Sequence, residues 1–408
     1  MRILLSAYAC APGMGSEPGV GWNWSRELAR RGHEVVVLTV RSMERRIREE
    51  LAATAGAVPE YVFVDFAHWP KLSDGVWPRF MRCHYFCWQL AAYREALRLH
   101  QARPFDCVHH ITWGSVRLPT FMWRLGVPLI FGPLGGGEVT PKQIRRGYAL
   151  RDRIVEWSRD ASNATVRHNP LMRAAFRRAR LVVARTEDTA RLISAAATRL
   201  HIQQELAVPD AGDIARARAE RALPLSPVIV FAGRLIHWKG ADLALAAFAH
   251  YRARSGTGRM MICGEGPERR RLEAMAGELD IDGAVEFRGK LAQDALFAVF
   301  RRSSVFLFPS LHDAGGAVVL EALANGLPVI CLDCGGPRCF VDERCGRVVP
   351  TAGRRRRDVV AALSDALSEL LASPDALAGL SAQSFRRAES FALPHVVERL
   401  YAEAGFAI

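Results

Sequence analysis

Short apolar runs alternate with stretches of helical periodicity along this whole chain, and that alternation narrows its fold more than any other feature. Strands are expected at 3–7, 35–39, 61–64, 107–109, 128–131 and 181–184, and a second series at 228–232, 260–263, 285–287, 305–308 and 329–332. Near-continuous apolar strands separated by helices mark parallel sheets covered on both faces. The helices between them read at 20–31, closed by Gly32, and at 241–254, 267–279, 294–302 and 316–325. In the stretch 267–279, Pro267 stands where a first-position proline sacrifices no intrahelical bond, and Leu272, Met275 and Leu279 form one stripe for the sheet.

From 207 to 227 the pattern decays into Pro, Asp, Gly and Ala around a short Arg/Ala helix, and 408 residues exceed what one hydrophobic core usually serves. The expectation is an α/β chain of two Rossmann-like domains facing each other across a cleft, divided at 206/207. Doubly wound sheets bind ligands beyond the carboxyl ends of their strands, where the Gly-rich loops of both halves would point.

The net charge of +13 is lopsided: residues 1–205 carry 30 Lys+Arg against 18 Asp+Glu. The excess is densest from Lys142 to Arg180, with 11 basic and 3 acidic residues, including Arg173, Arg177, Arg178 and Arg180. Such asymmetry suits an anionic membrane surface or a phosphate-bearing substrate; solvated arginine faces are the plainer account. No helix-turn-helix, zinc-finger or RNP-type pattern occurs, so nucleic acid is not expected as a partner. No run of 18 apolar residues occurs, and the opening MRILLSAYACAPG reads as a first buried strand rather than a signal peptide. Nine cysteines without a small-domain framework point to reduced thiols. Cys331, Cys334, Cys339 and Cys345 cluster, but they contain only one Cys-x-x-Cys knuckle, at the end of a strand, so zinc is disfavoured.

Three constellations in the second half carry chemistry. In FAGRLIHWKG (231–240), Arg234 and Lys239 stand just before a helix. A diphosphate needs convergent positive charge and backbone N–H groups, and both are available there. Taken alone, the pair is better explained as surface residues on a βα loop. In ICGEGPERRRLE, Gly264 and Gly266 would let backbone approach a ligand, although any βα turn needs such residues. In FPSLHDAGGAVVLEALANGLPVI, Asp313 precedes Gly315 and Gly316 at a helix start, and Glu321 follows eight residues later. Ionised carboxylates are pure acceptors, suited to sugar and ribose hydroxyls, while the helix start favours phosphate. The plainer account is Asp313 as a cap and Glu321 as a solvated helix residue, but Glu321 lies among Val318, Val319, Leu320, Ala322 and Leu323.

Taken in order, the GR…K segment, the GxGP turn, the V-x-F-x-G strand, the carboxylate-x7-carboxylate motif and the EA-x-x-x-G-x-PV segment resemble the retaining GT-B glycosyltransferases of family 4, the group 1 transferases. The resemblance implies that Arg234 and Lys239 hold a donor diphosphate, Glu321 the ribose and Asp313 the transferred sugar. It departs at the first carboxylate, where Asp stands in place of Glu and shortens the reach by about 1.5 Å. A UDP- or GDP-sugar co-substrate is implied, and no metal. The single Asp-x-Asp triplet, at 280–282, sits beside Gly283 where a turn explains it. The C-terminal helix, at about 392–408, is expected to pack back on the first domain, leaving 207–391 as the donor-binding domain.

The first half resembles the family less closely. Its loop GMGSEPGVG, with Gly13, Gly15, Ser16, Glu17 and Gly19, and a second one, FGPLGGGE, with Gly135 and Gly136, are expected near the donor phosphates or the acceptor. Many relatives place a His near the second loop. Here the available ones are His109 and His110, for which a catalytic role and a structural strand-end role compete. The implied reaction is front-face displacement with retention, the leaving diphosphate taking the acceptor proton. The expected acceptor is lipid-linked or a polysaccharide precursor, and the location is cytoplasmic, peripheral on the inner membrane face. Two alternatives remain: a non-catalytic glycosyltransferase-like partner in a glycan assembly complex, and, less favoured, a sugar-nucleotide epimerase.

Overall fold

The computed structural model describes residues 1–53, 56–65, 78–208 and 211–408, without the side chains of residues 16, 78–80 and 211. The expected connection at 207–227 includes residues 209 and 210, which lie outside the described residues. The chain divides into two compact units. The first comprises 1–137, 161–206 and 393–408, and the second comprises 138–160 and 207–392.

The first unit is built on seven parallel strands: β1 (Arg2–Ser6), β2 (Glu34–Val40), β3 (Glu60–Val64), β4 (Cys107–His110), β5 (Leu129–Leu134), β6 (Leu181–Ala184) and β7 (Leu200–Ile202), in the order β3-β2-β1-β4-β5-β6-β7. The sheet reverses its winding between β1 and β4, which pair in register from Ile3↔Cys107 to Ser6↔His110. Its apolar core gathers Leu4, Val36, Leu38, Val108, Leu129, Phe131 and Val182 from the strands with Tyr85, Trp88 and Phe176 from the helices. At about 1.5–3 kcal/mol for each large side chain removed from water, such a face dominates the favourable side of folding.

The first helix, Ser16–Arg30, starts four residues ahead of the expected Val20. Gly and Pro density hides the start in the sequence, yet Gly15 caps the helix in extended geometry, Pro18 falls in the permissive first turn, and Glu17 suits the dipole there. The C-terminal helix Leu393–Glu403 is tied to the first unit by Arg31 donating to the Pro394 carbonyl (2.7 Å) and Gln203 to that of Val396 (2.7 Å).

The second unit holds six parallel strands: β8 (Val228–Ala232), β9 (Arg259–Cys263), β10 (Val285–Gly289), β11 (Val305–Phe308), β12 (Val329–Leu332) and β13 (Gly346–Val349), in the order β10-β9-β8-β11-β12-β13. Winding reverses between β8 and β11. Both strands are buried throughout, as central parallel strands must be, whereas β10 at the edge is only half-covered. The helix expected to begin at Pro267 begins at Arg269. The Glu268 N–H is drawn instead to the Leu235 carbonyl (3.1 Å), so Pro267 lies in a turn ahead of the helix. Each unit is thus a doubly wound Rossmann-like layer structure. No helix of the described residues is long and apolar enough to cross a membrane.

Candidate functional site

In the second unit the winding reversal puts the loops after β8 and β11 side by side, and those loops carry most of the candidate residues. Lys239 ends the first loop and Asp313 lies in the second; the Lys239 ammonium donates to Asp313 Oδ2. Two residues 74 apart in sequence are thereby brought into contact at the carboxyl ends of the central strands. Behind them Phe308, the last residue of β11, presents its ring 5.2 Å from Lys239 Nζ and stacks in turn on Phe306. The aromatic core so extends up to the cation.

Glycines at these strand ends let four loops zip together. A Cβ on Gly264 would collide with the Gly233 carbonyl oxygen, and one on Gly266 with that of Leu235. Gly240 abuts the Pro309 carbonyl in the same way, and Gly335 that of Asp313. The close approach is closed by hydrogen bonds: Leu235 N–H to the Glu265 carbonyl (2.9 Å), Leu311 N–H to Trp238 (2.8 Å) and Gly336 N–H to Asp313 (2.7 Å). Gly264, at φ +148°, and Gly316, at φ +74°, adopt backbone conformations that residues with a Cβ rarely take.

Asp313 Oδ1 also accepts from the Gly315 N–H at 3.3 Å, and Gly316 caps the helix Ala317–Ala324. Glu321 sits on that helix, half-buried. Burial pushes its carboxyl above the usual range, only partly offset by Gln293 Nε2 at 3.5 Å. Arg234 is exposed on the loop after β8 and has no ion-pair partner among the described residues. The unit therefore offers a free guanidinium, an ammonium held by a carboxylate, a helix start and a second, desolvated carboxyl.

Sequence reasoning passed over a further cluster. Glu156, fully buried, accepts from His312 Nε2 at 2.9 Å and lies 3.4 Å from His237 Nε2. Asp152 Oδ1 approaches His237 Nδ1 at 3.2 Å, and His312 stacks on Trp238 at 4.9 Å between ring centroids. His237 stands two residues before Lys239, and His312 one before Asp313, so a single carboxylate grips both candidate loops. Burial alone would raise the Glu156 carboxyl, but hydrogen bonds from His237 and His312 hold it far below the usual carboxylate range. Burial also lowers the His312 imidazole. The motif strings contain both histidines; their partner lies 81 and 156 residues away, beyond any spacing rule.

In the first unit the loop after β1 meets the loop after β4. Glu17 Oε2 accepts from the Trp113 N–H (2.8 Å) and its Oε1 from Arg185 (2.7 Å), while Arg185 also pairs with buried Glu205. Burial pushes the Glu205 carboxyl up to about 7 against the lowering pull of Arg185. Gly19 is required, since a Cβ would collide with the Met14 carbonyl, and Gly13 adopts a left-handed φ of +63°, whereas Gly15 faces open space. The side chain of Ser16 lies outside the described residues. Gly135 pairs with the loop after β4, its N–H donating to the Gly114 carbonyl (3.0 Å), and Gly136 gives its carbonyl to Arg117 (2.8 Å).

His109 and His110 are fully buried on β4. His109 bonds the Gly132 carbonyl (2.9 Å) and the Tyr401 hydroxyl (3.2 Å), and His110 bonds Tyr85 (2.9 Å) and Ser6 (3.2 Å). Burial drops their imidazoles to about 4 and about 3. Neither ring keeps a nitrogen for a substrate, so of the two expected roles the geometry supports the structural one. Among the described residues no group of three His, Cys, Asp or Glu is placed to hold a metal, and no disulfide joins the nine cysteines.

Comparison with known proteins bears on this arrangement. Residues 18–203 match the glycosyl transferase 4-like domain, and residues 214–384 match the glycosyl transferases group 1 family. The chain is 29% identical over 282 residues to the 2-deoxystreptamine glucosyltransferase of Streptomyces kanamyceticus, covering 65% of this chain and 68% of that protein. It is 35% identical over 198 residues to the D-inositol 3-phosphate glycosyltransferase of Rhodococcus jostii, covering 46% of this chain and 42% of that protein. The match thus spans less than half the length of this second relative. Among solved structures, the lipopolysaccharide outer core galactosyltransferase WaaB aligns over 100% of this chain and 99% of its own, with a TM-score of 0.64 and 14% identity. Anabaena HepE in complex with UDP and glucose aligns over 100% of both chains, with a TM-score of 0.56 and 14% identity. The two Rossmann-like units have the GT-B fold, and the chain, with a glycosyl transferase 4-like domain followed by a group 1 glycosyl transferase domain, is a glycosyltransferase.

Proposed function

We propose that this protein is a retaining glycosyltransferase that moves a hexosyl group from a UDP- or GDP-sugar to a lipid-linked or polysaccharide-precursor acceptor at the cytoplasmic membrane face. The observation that carries the reading is the meeting of Lys239 and Asp313 at the winding reversal of the second sheet, beside exposed Arg234 and the helix bearing Glu321. A nucleotide sugar presents a diphosphate between two hydroxylated rings. Arg234 and Lys239 are assigned to the diphosphate, Asp313 to hydroxyls of the transferred sugar and Glu321 to the ribose. That HepE is described with UDP and glucose supports a donor of this class.

In the proposed reaction the acceptor oxygen bonds to the anomeric carbon on the face from which the diphosphate oxygen departs. The acceptor proton passes to that departing oxygen, so no protein base is needed. Charge builds up on the leaving phosphate. Arg234, Lys239 and the N–H groups opening the helix Ala317–Ala324 stabilise it, and donors fixed in advance do this without reorganising.

Calorimetric titration of the purified protein with UDP, GDP, ADP and their sugar conjugates tests the assignment. Selective binding of one nucleotide, weakened in both Arg234→Ala and Glu321→Ala, supports it. Absence of binding to every nucleotide refutes it and favours a non-catalytic partner, the role for which the two enclosed strand-end histidines leave room.

A further inference from the structure

The helix Leu150–Val166 is turned inside out over its first three turns. A surface helix normally buries its apolar stripe and exposes its charges. Here the face formed by Asp152, Glu156 and Asp160, spaced i, i+4, i+8, looks inward. Asp152 and Glu156 bind His237 and His312, and Asp160 pairs with Arg145. The opposite stripe, spaced i, i+4, i+7, is Leu150, Ile154 and Trp157, and these are 71%, 57% and 71% exposed. Trp157 has no ring partner among the described residues.

Lys142, Arg146 and Arg153 rim this apolar stripe and enclose with it a shallow hollow of about 460 Å³. Between Lys142 and Trp157 no acidic residue is exposed: Asp152 is half-covered and Glu156 is buried. An isologous pairing with a second copy would set this basic rim against itself. An anionic bilayer meets both features at once. Trp, Leu and Ile enter the acyl boundary while Lys and Arg stay at the headgroups.

We propose that residues 142–157 dock this protein on an anionic lipid surface, with Leu150, Ile154 and Trp157 as the inserted wedge and Lys142, Arg146 and Arg153 as the headgroup contacts. This goes beyond the general membrane-face location by naming the surface, and it holds whichever nucleotide is bound. It also has a geometric consequence. The inner face of the same helix binds the histidines beside Lys239 and Asp313, so the bilayer lies about one helix diameter, ~10 Å, from those loops. That is a suitable distance for presenting a lipid-linked acceptor.

The test is sedimentation of the full chain with vesicles of phosphatidylglycerol and phosphatidylcholine, against phosphatidylcholine alone, at low and high salt. The expected result is binding that requires the anionic lipid, fades with salt, and falls on the order of tenfold or more in both Ile154→Ser/Trp157→Ser and Arg146→Glu/Arg153→Glu. Thermal melting and nucleotide affinity should stay at wild-type values in both pairs, so that a docking defect is separable from a failed donor assignment. Wild-type binding by either pair overturns the proposal. So does absence of vesicle binding, or a dimer in sedimentation velocity that Ile154→Ser/Trp157→Ser dissolves.

Discussion

The ammonium assigned to the donor diphosphate is held by the carboxylate assigned to the donor sugar, and this sets opposite signs for two substitutions. Lys239→Ala removes a charge-assisted contact, worth about 1.5–3 kcal/mol, so nucleoside diphosphate should bind about 10- to 150-fold more weakly. Asp313→Asn removes a competitor for Lys239 and a negative charge beside the incoming phosphates. The pair is about one-fifth exposed on each side. After screening, its loss is worth about 0.5–1 kcal/mol, so the diphosphate alone should bind about 2- to 5-fold more tightly. Turnover of the sugar nucleotide should nevertheless fall, because the carboxylate no longer accepts from the sugar hydroxyls. Calorimetry with the diphosphate and single-turnover transfer with the sugar nucleotide separate the two effects. If Asp313→Asn weakens diphosphate binding as much as Lys239→Ala does, the carboxylate builds the phosphate site and does not compete with it. Wild-type turnover in Asp313→Asn would remove Asp313 from the sugar subsite.

Two further predictions concern carboxylates with displaced titration. Glu156→Ala leaves two histidine donors facing a buried gap and should lower unfolding free energy by about 3 kcal/mol, with Glu156→Gln near 1 kcal/mol, read by urea denaturation. Because the folded Glu156 carboxyl and His312 imidazole both sit below their ordinary values, stability should fall with acid, first below the His range near 6.5 and then through the Glu range near 4.5; an unchanged acid limb in Glu156→Gln would refute this account. Glu321 is displaced the other way, so nucleotide binding to its ionised form should weaken as pH drops through its raised value and release a proton there. Identical pH dependence in Glu321→Gln would assign that proton elsewhere.

Much of the fold was legible because parallel strands buried on both faces must be written as uninterrupted apolar runs. β8, β11 and β12 fall at the positions their Val, Ile, Leu and Phe content implies. β7 and β13 escaped, being short and half-exposed: Leu-His-Ile and Gly-Arg-Val-Val carry too little apolar signal to stand out. At the site, Lys239 and Asp313 were legible as loop residues at strand ends, since the winding of such sheets gathers those ends. The fate of His109 and His110 was not. A strand-end histidine reads alike whether its ring meets solvent or Tyr401 and Tyr85, and those tyrosines come from remote helices.

The segment 138–160 was the hardest to read, for a physical reason. It lies between β5 and β6 of the first unit in sequence yet clusters with the second, where contacts of Glu156 with His237 and His312, 81 and 156 residues further on, hold it. Counting charges marks it only as basic. Its periodicity is genuine, but assigning the apolar stripe to a core inverts the helix, because the forces that orient it are the ion pairs of Asp152, Glu156 and Asp160. Desolvating those acids is tolerable only because histidines and Arg145 meet them. The apolar stripe is then left facing outward, a disposition costly in water and favourable at a bilayer. The rule that apolar faces point inward therefore fails here in the direction expected if the missing cover is lipid, which no spacing within the chain could reveal.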